Sequence, residues 1–205
     1  MTSRDSARQA VADYIERPVA RLFSRLGLTP NLVTLIGLAI AGAGAYVIAM
    51  GNWWGGGLIV LFAGIFDLFD GALARATGKV SDFGALLDST VDRVSEAVVL
   101  LGLLAYYLSE NNDLGSILVY VALVGSIMVS YMRARSEGLG IDCKVGVMTR
   151  PERVAAVGIG LIVGHWVPVV VLVVLGVIGA LTTVTAIHRL IHTSRMIANE
   201  DRDVQ

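Results

Sequence analysis

The sequence predicts an all-α integral membrane protein with six transmembrane helices preceded by an amphipathic juxtamembrane helix. Three observations predict it. The first is composition: 55% of the 205 residues are hydrophobic and only 16% are charged, whereas soluble domains run at roughly 45–50% apolar and about 25% charged. The second is a series of six apolar segments, most of them close to the ~20 residues that cross a ~30 Å hydrocarbon core. The third is that the basic residues gather on one side of those segments. The net charge of -1 decides nothing about partners, and no nucleic-acid partner is expected. The single cysteine, Cys143, excludes an intramolecular disulfide.

Taken in order, the chain opens on an interfacial segment, 1–28. Residues 1–25 are charged throughout and lack the continuous apolar stretch of a signal peptide. Val11, Tyr14, Ile15, Val19, Leu22, Phe23 and Leu26 recur at helical spacing among Arg8, Glu16, Arg17, Arg21 and Arg25, the pattern of a helix lying on a membrane surface. Pro18 should kink or divide it. A membrane domain, 29–197, and a polar tail, 198–205, follow. Its spans are read at 30–50, 55–76, 84–108, 114–135, 153–166 and 168–190. Thr29 is the expected N-cap of span one, with Pro30 in its first turn. The fifth span depends on a turn at Gly164-His165-Trp166-Val167-Pro168; without it the chain has five spans and one long helix. With the N-terminus in the cytoplasm, all 16 Lys and Arg fall on that side or in the cytoplasmic half of a span. The outer loops keep Glu110 and Asp113, and Trp53, Trp54, Trp166, Tyr106 and Tyr107 form an outer aromatic belt. The expected location is therefore the cell membrane, multi-pass, with both termini cytoplasmic.

Spans two and three carry Asp67, Asp70, Asp88, Asp92 and Glu96. A carboxylate inside a membrane helix is expensive and marks function by default. Asp67, Asp70, Gly71 and Ala74 follow i, i+3, i+4, i+7; Gly84, Asp88 and Asp92 follow i, i+4, i+8; each set shares a helix face. At ~1.5 Å per residue, Asp67 lies about 20 Å and Asp92 about 21 Å below the outer interface, with Asp70 at about 24 Å and Asp88 at about 27 Å. Four carboxylates at matching depth need counter-charge in a low dielectric. Two divalent cations would supply it, and all-oxygen ligands suit Mg²⁺, Mn²⁺ or Ca²⁺ rather than Zn²⁺. Such a pair serves substitution at phosphorus. Gly71, Ala74 and Gly84 leave room for a ligand beside the acids, or simply let helices pack closely. Glu96 lies deeper and is read as a hydrogen-bonded structural acid. His165 falls in an outer loop, and His188 and His192 at the cytoplasmic end of span six. The chain has no His/Cys cluster for zinc and no triphosphate-binding glycine loop.

Asp67-x-x-Asp70-Gly71-x-x-Ala74-Arg75, eight residues, then Gly84-x-x-x-Asp88-x-x-x-Asp92 resembles the complete signature of the CDP-alcohol phosphotransferase family, and the resemblance extends over nearly the whole chain. It implies that Asp67, Asp70, Asp88 and Asp92 form the metal site, two Mg²⁺ or Mn²⁺ ions being expected, and that Asp92 is also the general base. It implies that Asp67, Gly71, Ala74 and Arg75 line the cytidine diphosphate pocket, joined by Pro30, Asn31 and Thr34. It further implies CDP-diacylglycerol as the donor, a homodimer among membrane lipids, and an active site open to the cytoplasm.

Arg133, Arg153 and Arg189 end three different spans on the cytoplasmic side. They either bind an acceptor that already carries a phosphate, through the planar guanidinium fork, or snorkel to anionic headgroups. Tyr131-x-Arg133-Ala134-Arg135-Ser136-Glu137 with Arg150-Pro151-Glu152-Arg153, and the run Asp88 to Arg93, resemble the branch of the family that makes phosphatidylinositol phosphate in actinobacteria, and its archaeal ether-lipid counterparts. That resemblance implies inositol 1-phosphate as acceptor, held by Arg133, Arg153 and Arg189, with Arg135 a weaker candidate. Arg133 stands where that branch often has lysine. The alternatives are glycerol 3-phosphate as acceptor and, in another class, an ion-coupled transporter using the buried acids as a relay.

Overall fold

The computed structural model describes residues 17–203; the expected surface-helix positions Val11, Tyr14, Ile15 and Glu16 lie outside them. Within the described residues every regular element is helical. A short helix, α1, covers Arg17–Arg25 and ends in a turn at Gly27, whose φ of +73° suits glycine. Phe23 of α1 packs on Phe66 and Phe69, at ring-centroid distances of 5.8 and 6.1 Å.

Helix α2, Pro30–Ala49, starts as expected: the Thr29 hydroxyl accepts from the Leu32 N–H at 3.3 Å, and Pro30 takes the first turn. The next segment is two helices, α3 (Trp53–Phe66) and α4 (Leu68–Thr77), meeting at Asp67. Gly78, at φ +65°, closes α4, and Ser81 caps α5, Asp82–Ser109. Helix α6 covers Asp113–Glu137, α7 Arg150–Gly164 and α8 Val169–Asp203. The chain does break at 165–168, so the long apolar run is two helices. Helix α8 continues unbroken past the expected tail boundary at 198.

The main packing partners are α2 with α5, α6 with α8, and α3 with α7. Glycine lets these backbones approach. A Cβ on Gly57 of α3 would stand 2.7 Å from the Gly158 carbonyl of α7, and one on Gly102 of α5 would meet the Ala45 backbone of α2. One core cluster, including Ile48, Trp53, Leu103, Tyr107, Leu161 and Leu175, fills the bundle. The outer surface is also apolar: Leu35, Phe62, Leu101, Ile117, Ile127, Val173 and Val184 are all exposed. A bundle with apolar side chains both inside and outside is built for lipid, and the protein is a multi-pass membrane protein.

By length and composition alone, four segments among the described residues can cross a bilayer: Pro30–Ala49, Trp53–Thr77, Asp113–Glu137 and Val169–Asn199. Helix α5 is long enough at 28 residues, but it carries Asp82, Asp88, Asp92 and Arg93 in its first half and Glu96 just beyond it. Helix α7 has only 15 residues.

Candidate active site

The acids come from three helices that border one cleft. Asp67 is the joint between α3 and α4, Asp70 sits one turn into α4, and Asp88 and Asp92 stand a turn apart on α5. All four line one open cleft of about 730 Å³. Asp67 and Asp92, the pair expected at matching depth, are close enough for a single side chain to span them. Arg150 Nη2 lies 2.7 Å from Asp67 Oδ2, and Arg150 Nη1 lies 2.6 Å from Asp92 Oδ1.

Asp70 is the most enclosed of the four, 6% exposed. Its Oδ2 accepts from the Thr34 hydroxyl at 2.7 Å and its Oδ1 from the Gly71 N–H at 2.5 Å. Thr34 therefore orients an acid, a role additional to the nucleotide contact expected of it. Asp67 is held from the other side by Gly37 of α2, where a Cβ would come within 2.6 Å of Asp67 Oδ1. Gly37→Ala is expected to leave the bundle folded yet displace that carboxylate, lowering turnover by about 10²-fold. Parallel assays of turnover and thermal unfolding check this; unchanged turnover would show that the carboxylate tolerates the shift.

A second cleft of about 340 Å³ adjoins the first. Pro30, Asn31, Thr34, Gly71, Ala74 and Arg75 all line it, whereas Asp67, also expected around a nucleotide, borders the larger cleft and not this one. The two clefts have Asp70, Gly71, Arg75 and Asp88 in common.

Arg133, Arg153 and Arg189 line the larger cleft with Arg150. Arg153, 2% exposed, is anchored by a two-pronged pair to Glu96, Nε to Oε1 at 2.6 Å and Nη2 to Oε2 at 2.7 Å, and its Nη1 donates to the Met148 carbonyl at 3.3 Å. Arg189 donates to the Val145 and Val129 carbonyls at 2.8 and 2.6 Å. Arg133 pairs with Glu137 at 2.8 Å on an exposed face of α6. A guanidinium has five N–H donors, so Arg153 and Arg189 each keep some free of these protein contacts. Arg135 is not part of either cleft's lining.

Four carboxylates without His or Cys are a donor set for hard divalent ions. A guanidinium drawn to two of them at once shows that this pair takes a bridging positive charge. Among the described residues, no three acids stand together closely enough to hold one ion as placed; the Arg150 guanidinium lies between Asp67 and Asp92. Behind the acids lies an apolar cavity of about 30 Å³ bordered by Ser95, Ser126 and Arg150, whose Oγ, Oγ and Nε atoms are buried without hydrogen-bond partners.

Arg150 and Gly37 were not singled out as site residues in the sequence. Arg150 stands three residues before Arg153 and shares its helix face, which is the signal that could have found it. Nothing in the sequence distinguishes Gly37 from the other glycines of α2.

Residues 27–187 match the family model described as CDP-alcohol phosphatidyltransferase. The chain is 40% identical over 149 residues to a phosphatidylinositol phosphate synthase of Mycolicibacterium smegmatis, covering 71% of this chain and 67% of that protein. It is 35% identical over 177 residues to an archaetidylinositol phosphate synthase of Methanothermobacter thermautotrophicus, covering 82% and 88%. Two crystal structures of the Mycobacterium tuberculosis phosphatidylinositol phosphate synthase superpose on the bundle at 36% identity. One, with CDP-DAG bound, has a TM-score of 0.80 and covers 87% of this chain and 92% of that one. The other, with manganese and citrate, has a TM-score of 0.82 and covers 87% and 88%.

Proposed function

The chain belongs to the CDP-alcohol phosphatidyltransferase family, and on that premise we propose that it transfers a phosphatidyl group from CDP-diacylglycerol, or its ether-lipid equivalent, to inositol 1-phosphate, releasing CMP. The observation that carries this reading is the pair of adjoining clefts. One is walled by the stretch expected around cytidine diphosphate, the other by acids and arginines, and Asp70, Gly71, Arg75 and Asp88 border both. A donor's pyrophosphate at that shared border faces an acceptor in the arginine-lined space. The name of the relatives and the CDP-DAG bound in the tuberculosis enzyme support the same pairing of substrates.

In this mechanism the small cleft holds the nucleotide, with Gly71 and Ala74 admitting it close to the α4 backbone. Arg133, Arg153 and Arg189 hold the acceptor's phosphate, two of them pre-set by their protein contacts so that little side-chain freedom is lost on binding. Asp92 removes the proton from the acceptor hydroxyl. The hydroxyl oxygen then bonds to the lipid-linked phosphorus as the bond from that phosphorus to the CMP oxygen breaks. Asp67, Asp70, Asp88 and Asp92 are the residues that hold the metal, two Mg²⁺ or Mn²⁺ ions, which when bound screen the pyrophosphate and offset charge on the departing CMP. Thr34 and Gly71 keep Asp70 oriented for this.

Six crossings belong to the same proposal. Helix α5 packs along α2 for most of its length, and α7 lies between α3 and α8, so both traverse the layer that their neighbours cross, α5 hiding its acids against the cleft. The one-sided basic residues support cytoplasmic termini and a cytoplasmic site, and α1, with Leu22 and Leu26 exposed, suits a juxtamembrane position. A homodimer and the division into 1–28, 29–197 and 198–205 complete the proposal.

The test is CMP release by purified protein in detergent with CDP-diacylglycerol and Mg²⁺ or Mn²⁺, comparing inositol 1-phosphate, free inositol, glycerol 3-phosphate and serine. Release with inositol 1-phosphate alone is expected. Release with glycerol 3-phosphate instead would keep the acid mechanism and discard this acceptor, and no release with any acceptor would overturn the transferase reading.

A further inference from the structure

Arg150 and Arg153 stand one helical turn apart and are bonded in opposite ways. Every nitrogen of Arg153 donates, and its partner Glu96 takes both prongs. Arg150 uses only its two terminal nitrogens, on two different carboxylates from two different helices, and its Nε is buried with no hydrogen-bond partner. Both line the open cleft, but Arg153 is only 2% exposed whereas the Arg150 side chain keeps 21% exposure. The backbone under Arg150 is tied into a capped helix start. Thr149 and Glu152 form a capping box, the Thr149 N–H donating to Glu152 at 2.5 Å, and Pro151 follows Arg150 in the first turn.

We propose that Arg150 is a displaceable internal counter-ion: its guanidinium holds Asp67 and Asp92 together and gives them up to a divalent cation that binds the acids. This rests on reading the acid cleft as a metal site. Arg150 and such a cation claim the same carboxylates, so each weakens the other's hold. Without Arg150, two acids on separate helices would face each other with no protein cation between them, and mutual repulsion would part α5 from the α3–α4 joint. Arg150 is thus a positioning residue that keeps the acids in register and sets how much metal is needed to load them.

Opposite outcomes separate this role from a purely structural one. Mn²⁺ binding to the full chain in detergent, without lipid or acceptor, is measured from the paramagnetic resonance signal of free Mn²⁺. Arg150→Met is expected to bind Mn²⁺ about tenfold more tightly than the unaltered protein. Its unfolding temperature in chelator should fall, and its gain on adding Mn²⁺ should exceed that of the unaltered protein. Equal or weaker Mn²⁺ binding by Arg150→Met overturns the proposal. Arg150→Lys, which keeps the charge and loses the fork, is expected to bind with intermediate affinity and serves if the methionine variant does not fold; unchanged affinity in it counts against the proposal equally. If the unaltered protein binds no Mn²⁺, the metal reading itself falls, a result distinct from Mn²⁺ binding that Arg150→Met fails to tighten.

Discussion

Asp92→Asn is expected to lower kcat for CMP release by about 10³-fold while Mn²⁺ binding survives. General-base assistance accounts for roughly 10²–10⁴-fold in rate, and Asn keeps the size of Asp and one oxygen ligand but cannot take a proton. The position suits the role. Asp92 lines the larger cleft together with Arg133, Arg153 and Arg189 and is absent from the smaller one, whereas Asp70 and Asp88 border both. Arg150 Nη1, now 2.6 Å from Asp92 Oδ1, still finds an oxygen in the variant. Turnover and Mn²⁺ affinity are to be measured on the same preparation. Unimpaired turnover removes Asp92 as the base; equal losses in both make it a ligand alone.

The second large effect is on stability. Removing either partner of the Glu96–Arg153 pair leaves an uncompensated charge among buried groups, at a cost of about 3–5 kcal/mol. Glu96→Leu and Arg153→Met should each lower the unfolding temperature strongly. The double variant should recover most of the loss, because two apolar side chains leave no orphan charge. That double variant also isolates the kinetic role of Arg153: its KM for the acceptor should rise far more than that for CDP-diacylglycerol. Equal rises in both would mean that Arg153 supports the fold only. Failure of the double variant to recover stability would mean that the pair sets the helix arrangement itself.

The helices were readable because the lipid-spanning length, the caps and the breakers are local. Thr29-Pro30 starts α2 where expected, and the break near Pro168 divides α7 from α8. The level of Asp67 with Asp92 followed from counting residues along straight helices, and Arg150 now spans that pair. What could not be read is rotation. A helix apolar on all sides gives no stripe to say which face meets which neighbour. The contact of Gly37 with Asp67, the hydrogen bond of Thr34 to Asp70 and the partner of Glu96 all depend on that rotation. The joint at Asp67 was hidden for a related reason: Phe66-Asp67-Leu68 contains no glycine or proline to announce a break. The type and placement of the arginines left phosphate binding and snorkelling to headgroups both open, and only the family resemblance implied phosphate. Their prior engagement depends on helix rotation for Glu96 on α5 and Val129 on α6, and for Val145 on a loop between α6 and α7 that has no periodicity to interpret.

Helix α5 carries a consequence for how the protein is made. Its second half supplies core residues such as Leu100, Leu103 and Tyr107, but its first half brings the site's acids. A charged residue at a helix centre weighs about 2.5–3.5 kcal/mol against entry into a bilayer, so α5 alone is a poor candidate for insertion during synthesis. The helix it packs on most, α2, is strongly apolar, emerges first and offers it the Gly102–Ala45 contact. The order of the chain thus lets a good membrane helix chaperone a bad one, and damage to the α2 face that receives α5 should surface first as a wrongly threaded polypeptide, before any catalytic defect is reached.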